Sequence, residues 1–354
     1  MSNPDQKMSK KKKPLSSHLD GSPAKLTFSA KVADIMPYMG ASILQDKFFY
    51  AVYTRNVPEI KRCLSKGVDT NVLNRDFGVA PIHILAERND SILGYSVLLN
   101  RQVDLDAKTV HSYSALHLTS YFNCKKFAAL LLNNGANPDI RDRFGRTPLH
   151  LAVEREYDGM VLTLLKKKAA VNVMDYYENT PLSYSVLRVR NLPITKILLD
   201  NGADMNFEEE RSLHLFFELI LSCHCLDDID FVVAFLKNGF DINTREEASG
   251  RNCLHFAAVT GYVEVAIVLV EHGADPFSMD HMNRTAVAAA KQHGHYILAD
   301  YLRKGYRPPH VLKTLPFLYL WSNKVKSRIA KKQAEEELDE ERQIKFRSKS
   351  KISF

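Results

Sequence analysis

One spacing constrains this chain more than any other feature. The segments Ala80-Pro81-Ile82-His83, Ser114-Ala115-Leu116-His117, Thr147-Pro148-Leu149-His150, Thr180-Pro181-Leu182-Ser183, Arg211-Ser212-Leu213-His214, Asn252-Cys253-Leu254-His255 and Thr285-Ala286-Val287-Ala288 align on one another. Their third residues lie 34, 33, 33, 31, 41 and 33 positions apart. A second series (Gly67, Gly135, Gly202, Gly239, Gly273 and Gly305) keeps phase with the first and follows apolar pairs such as Leu131-Leu132 and Leu198-Leu199. Two series locked to one period describe an array of repeated modules rather than a single globular core.

The residue types give each module its shape. Thr147 and Thr180 are good helix caps, because a hydroxyl accepts from an amide left unpaired in the first turn. Pro148 and Pro181 follow at the first helical position, where a missing N–H costs nothing. Ser114, Asn252 and Thr285 keep the capping chemistry, whereas Ala80 and Arg211 do not. The glycine after each second helix supplies the left-handed residue that ends it. An Asp-x-x-Gly step before the next cap is turn chemistry. Each module is too small to hide its own apolar side, so stability must come from neighbours stacking side by side.

This pattern resembles the ankyrin repeat, whose signature is Thr-Pro-Leu-His opening a first helix and Leu-Leu-x-x-Gly-Ala closing a second. The stretch from Asp142 to Ala152 is the closest copy, and the resemblance runs from about Ile43 to Gly305. It implies an all-α solenoid of about eight helix-turn-helix units joined by β-turn fingers. The units are expected near 43–74, 75–108, 109–141, 142–174, 175–207, 208–244, 245–279 and 280–305. The motif residues Thr147, Pro148, Leu149, His150, Thr180, Pro181, Leu182 and His255 are then structural. The resemblance gives the recurring histidines His83, His117, His150, His214 and His255 the task of tying units together through hydrogen bonds to backbone and cap. Unit one lacks the opening step and is expected to cap the array. Unit six is irregular, with about seven extra residues expected around Ser222–Asp228.

Composition excludes several function classes. The longest apolar runs, such as Phe127–Leu132, are far shorter than the roughly 20 residues needed to cross a bilayer. The net charge of +7 sits in the ends: residues 1–42 hold seven Lys/Arg against three Asp/Glu, and residues 303–354 hold fourteen against six. The body between them is acidic, so the basic balance gives no argument for nucleic-acid binding. Five scattered cysteines read as reduced thiols in a cytoplasmic or nuclear protein. Residues 1–42 read as a disordered tail, with Lys10–Lys13 as a candidate import signal.

Catalytic signatures are missing from the sequence: there is no Gly-x-x-x-x-Gly-Lys loop, no Gly-x-Ser-x-Gly elbow and no His-Glu-x-x-His. Cys223-His224-Cys225, with His214 and Asp227 nearby, lacks the second ligand pair that a structural zinc site wants. No metal, cofactor or enzymatic activity is expected.

Binding is where the residues are informative. The finger residue just before the glycine slot runs Phe77, His111, Phe144, Tyr177, Glu208, Ser249 and Met282. The first four carry rings, and Tyr113, Arg143, Arg146 and Tyr176 flank them. Aromatic and arginine side chains on a turn are the composition of a binding hot spot. The opposing reading is that each ring packs on the neighbouring finger. The sequence thus points to a monomeric, non-enzymatic scaffold or adaptor that binds a protein partner through its concave finger and inner-helix face. The apolar segment Val311–Trp321, inside 306–322, is expected either to cover the last unit or to dock a partner, and 323–354 reads as a charged tail. A second reading makes the chain a ubiquitin-ligase substrate receptor, from similarity to a SOCS box. Leu312 and Leu315 suit it, but Pro316 or Tyr319 stands where a cysteine belongs, and no Leu-Pro-Leu-Pro sequence follows.

Overall fold

The computed structural model describes residues 43–74, 78–90, 94, 103–205 and 214–303. The expectations for 1–42, Lys10–Lys13, Phe77, Glu208, Arg211, Val311–Trp321, the SOCS-like leucines and the charged tail lie outside the described residues. The chain divides into two compact units, one ending at Asp204 and one beginning at Met205.

The first unit is built from helix pairs. They are α1 (Ile43–Thr54), α2 (Val57–Ser65), α3 (Pro81–Glu87), α4 (Ala115–Tyr121), α5 (Lys125–Asn133), α6 (Pro148–Glu154), α7 (Asp158–Lys166), α8 (beginning at Pro181–Ser183) and α9 (Leu192–Asp200). The inner helices α1, α3, α4, α6 and α8 pack in one row, and α5, α7 and α9 pack in a second row behind them. The apolar residues of each outer helix fall three and four apart, as Phe127 and Leu131 in α5 and Val161 and Leu164 in α7, and all four are fully buried. That spacing puts one greasy stripe on the inner side. Truncating any of them to alanine opens a cavity at a cost of about 2–5 kcal/mol.

Helix starts follow the sequence reading with one difference. The side chains of Ser114 and Thr180 accept from the amides of His117 and Ser183, as expected. Thr147 does not cap in this way: its hydroxyl lies 2.9 Å from His150 Nδ1 instead. The turn after the outer helix requires a left-handed residue, supplied by Gly135 at φ +95° and, in one module without a glycine there, by Lys168 at +64°.

Helix α8 carries an irregularity. After Ser183 it widens into a π-helical turn over Tyr184–Val189 and ends at Arg190, a left-handed cap. Pro181 follows Pro148 by 33 residues, whereas α9 starts 34 residues after α7. The π-turn absorbs that one inserted residue inside the helix and leaves the outer row in register.

The second unit contains α10 (Leu215–Ser222), a 3-10 turn (Leu226–Asp228), α11 (Ile229–Lys237), α12 (Cys253–Thr260), α13 (Val263–Glu271), α14 (Ala286–Gln292) and α15 (Tyr296–Arg303). Again α10, α12 and α14 form one row, with α11, α13 and α15 behind it. Aromatic stacking fills its core, with Phe216 over Phe240 at 4.1 Å and Phe217 over Phe256 at 4.6 Å. The extra residues of unit six form a turn closed by Asp228, whose carboxylate accepts from the amides of His224 and Cys225. His214 departs from its aligned histidines. It precedes α10 and accepts from the amide of Phe216, because this helix begins after the histidine rather than two residues before it. Among the described residues no helix is long and apolar enough to cross a membrane.

Candidate functional site

Fingers join the modules, and their carboxylates fold them. In the finger of the fourth module Asp142 Oδ1 accepts from the amides of Phe144 and Arg146. Asp175 does the same for Tyr177 and Asn179 in the next finger, and Asp280 for Met282 and Arg284 in the second unit. Main-chain bonds then run from finger to finger: the amide of Tyr176 donates to the carbonyl of Phe144, and that of His281 to Ser249. Gly145, at φ +77°, is needed twice over. A Cβ there would sit 2.8 Å from the backbone nitrogen of Tyr176 and against its ring.

Beneath the fingers, the histidines act as couplers. The amide of each cap residue donates to Nδ1 of the histidine three residues on, as Ala80 to His83 and Thr147 to His150. With Nδ1 an acceptor, Nε2 carries the proton and donates across to the next finger. His117 reaches the carbonyl of Arg146 at 3.0 Å and His150 that of Asn179 at 3.0 Å, and His255 reaches Arg284 in the second unit. Burial lowers His83, His117 and His150 to about 4, so they are neutral.

Of the finger residues singled out by sequence, His111, Arg143, Tyr176 and Tyr177 face solvent, with the two tyrosines 67% and 54% exposed. Phe144 is half-buried, flanked by the guanidinium groups of Arg143 at 4.7 Å and Arg146 at 5.0 Å. Two assignments need correction. Tyr113 and Arg146 are buried, at 1% and 4% exposure, and belong to the interior rather than to a binding strip. Arg146 is held inside because Asp142 and Glu154 both pair with it and the phenol of Tyr113 lies beside it. Burial opposes its charge, but the two carboxylates outweigh that and hold its pKa above the usual value. Phe77 and Glu208 lie outside the described residues, and in the second unit Met282 is exposed while Ser249 is half-buried.

The structure also brings in residues that the sequence reading passed over. Glu154, at the end of α6, bridges Arg146 at the root of the finger and Arg188 on α8, which is 2.9 Å away. Arg188 packs over the ring of Tyr184, and the exposed Arg155 over Tyr121 at 3.7 Å. Two modules earlier Arg88 lies over Tyr53 at 4.1 Å and donates to its carbonyl. The sequence held part of the signal: Arg155 and Arg188 are 33 residues apart and Tyr184 precedes Arg188 by four, whereas the ring under Arg155 belongs to Tyr121, 34 residues before it. The surface therefore continues from the fingers onto the ends of the inner helices. Among the described residues no group of three or more His, Cys, Asp or Glu is placed to hold a metal ion.

Comparison with known proteins agrees with this geometry. The family model for ankyrin repeats matches in three copies, over residues 48–142, 130–209 and 219–310. The nuclear factor NF-kappa-B p105 subunit of Gallus gallus is 29% identical over 52% of this chain, which spans 18% of that protein's length. An ankyrin repeat protein of fowlpox virus is 33% identical over 40% of this chain and 74% of its own. The crystal structure of the ankyrin repeat domain of Bcl-3 covers 62% of this chain and 98% of that chain at 24% identity, with a TM-score of 0.56, a likeness of fold. Ankyrin repeats are protein–protein interaction modules, and this chain belongs to the ankyrin repeat family.

Proposed function

We propose that the chain is a non-enzymatic scaffold or adaptor, monomeric and cytoplasmic or nuclear, whose fingers and inner-helix ends bind a partner protein. The observation that carries this reading is the pair Tyr176 and Tyr177. Both are more than half exposed at the tip of a finger whose backbone is fixed by Asp175 and by the carbonyl of Phe144. A large ring held out on a rigid support loses little conformational freedom on binding and hides much apolar area, which is what hot-spot residues do. His111 and Arg143 are exposed on preceding fingers, and Phe144 offers a partly covered ring beside them.

The test is proximity labelling with the intact chain and with a Tyr176→Ala/Tyr177→Ala double variant. Because neither ring is buried, helicity and thermal midpoint should match the parent. The expected result is loss of a discrete set of labelled proteins, and an unchanged set would remove the reading.

A further inference from the structure

We infer that the surface around Arg143 and Arg155 receives an acidic segment of a partner protein, one that carries separated Asp or Glu side chains. The inference rests on the docking reading above and adds the chemistry of the guest. Arg146 and Arg188 are paired with Asp142 and Glu154. Arg143 and Arg155 are different: both are exposed, and neither pairs with a carboxylate among the described residues. Each instead has its guanidinium over a ring, Arg143 on Phe144 at 4.7 Å and Arg155 on Tyr121 at 3.7 Å.

A ring beneath a guanidinium occupies its face and leaves its edge donors free, and that edge matches a carboxylate through two parallel hydrogen bonds. The stack also fixes a side chain that would otherwise lose rotamer freedom on capture. Both arginines belong to one connected set of contacts. Arg143 and Arg146 share the ring of Phe144, Arg146 meets Glu154, and Arg155 follows Glu154 at the end of α6. Arg88 on Tyr53 repeats the arrangement earlier in the same row. The exposed Glu156 adjoins Arg155, and Glu178 follows the tyrosine pair. These acidic neighbours oppose a continuous phosphate chain yet leave room for separated carboxylates, which favours a peptide over a nucleic acid.

The experiment titrates a fluorescent peptide of alternating Glu and Leu with the full-length chain, followed by anisotropy, alongside a Lys-Leu peptide and a single-stranded oligonucleotide. The Glu peptide should bind, the Lys peptide should not, and affinity should fall as salt rises from about 50 to about 300 mM because the pairs are exposed. An Arg143→Glu/Arg155→Glu variant should bind the Glu peptide at least about tenfold more weakly, and Arg143→Lys/Arg155→Lys should fall between. The basic ends are the same in all variants, so the difference reports on this surface alone. Equal affinity of the parent and the glutamate variant, or tighter binding of the oligonucleotide than of the peptide, would overturn the inference. If the glutamate variant keeps peptide binding while Tyr176→Ala/Tyr177→Ala loses its labelled partners, the acidic guest is wrong and the docking face stands. If the tyrosine variant keeps its partners, the docking face itself fails.

Discussion

His117 Nε2 lies 3.0 Å from the carbonyl oxygen of Arg146, one module further along, while its Nδ1 faces the amide of Ser114. Both ring nitrogens are thereby committed, one as donor and one as acceptor, and only the neutral imidazole satisfies both. Stability should therefore depend on pH well above the carboxylate range. His83, His117 and His150 titrate at about 4 when folded, against about 6.5 when unfolded. The unfolded chain takes up these protons first, so their contribution is complete above about pH 6.5 and is lost as pH falls toward 4. The urea midpoint should be level from about pH 7.5 upward and drop steadily between about pH 6.5 and 4.5. A midpoint that stays flat across that lower window would contradict the coupling role.

Arg146 and Arg143 differ by three positions and should differ greatly in consequence. Arg146→Ala leaves the buried Asp142 carboxylate without its guanidinium and Glu154 with Arg188 alone, and should cost about 3–5 kcal/mol. Arg143→Ala removes an exposed side chain and should stay within about 0.5 kcal/mol. Denaturant unfolding of the two variants side by side separates the corrected assignment of Arg146 from the original one. Similar small losses in both would show that the buried network carries little weight.

Ala80 stands where five of its six counterparts carry a hydroxyl or an amide. Its amide already donates to His83 Nδ1, and its backbone is extended as at other caps. Ala80→Ser adds the missing acceptor to α3 and should stabilise the chain by about 0.5–1 kcal/mol, the lower part of the usual range for such caps. An unchanged or lower denaturation midpoint would mean that the buried site cannot accept the extra oxygen.

The five cysteines should not react alike. Cys63, Cys124, Cys223 and Cys253 are buried, and burial raises Cys124 to about 11 and Cys253 to about 12. Cys225 alone among them is exposed. Brief alkylation of the native chain followed by peptide mass mapping should modify Cys225 first, with the others labelled only after denaturation. Rapid labelling of Cys253 would mean that α12 opens far more readily than its packing implies.

Much of the fold could be read from sequence because the repeat states each instruction several times. The proline at the start of α6 and α8, the left-handed turn after α5 and the Asp-x-x-Gly turn chemistry of the finger that begins at Asp142 were all legible from spacing and residue type. What escaped was set by depth rather than by order along the chain. Tyr113 and Arg146 stand only two and three residues after the exposed His111 and Arg143, and no periodicity tells that Asp142, Glu154 and the phenol of Tyr113 converge on one guanidinium. The π-turn in α8 was hidden for a related reason. A single inserted residue shifts α9 without disturbing the opening Thr-Pro-Leu step, so the insertion shows only when the helix ends are compared. Arg155 and Arg188 were passed over because attention to the fingers left the ends of the inner helices unread.

The amide of Tyr176 is bound to the carbonyl of Phe144, and its turn is closed by Asp175. Such links are made by main chain and by one carboxylate, so they are indifferent to which side chains stand at the tip. Arg143, Tyr176 and Tyr177 are consequently excused from any folding duty. A lineage can exchange them freely, acquiring or abandoning a partner without putting the scaffold at risk, and relatives of this chain should diverge at those tips first.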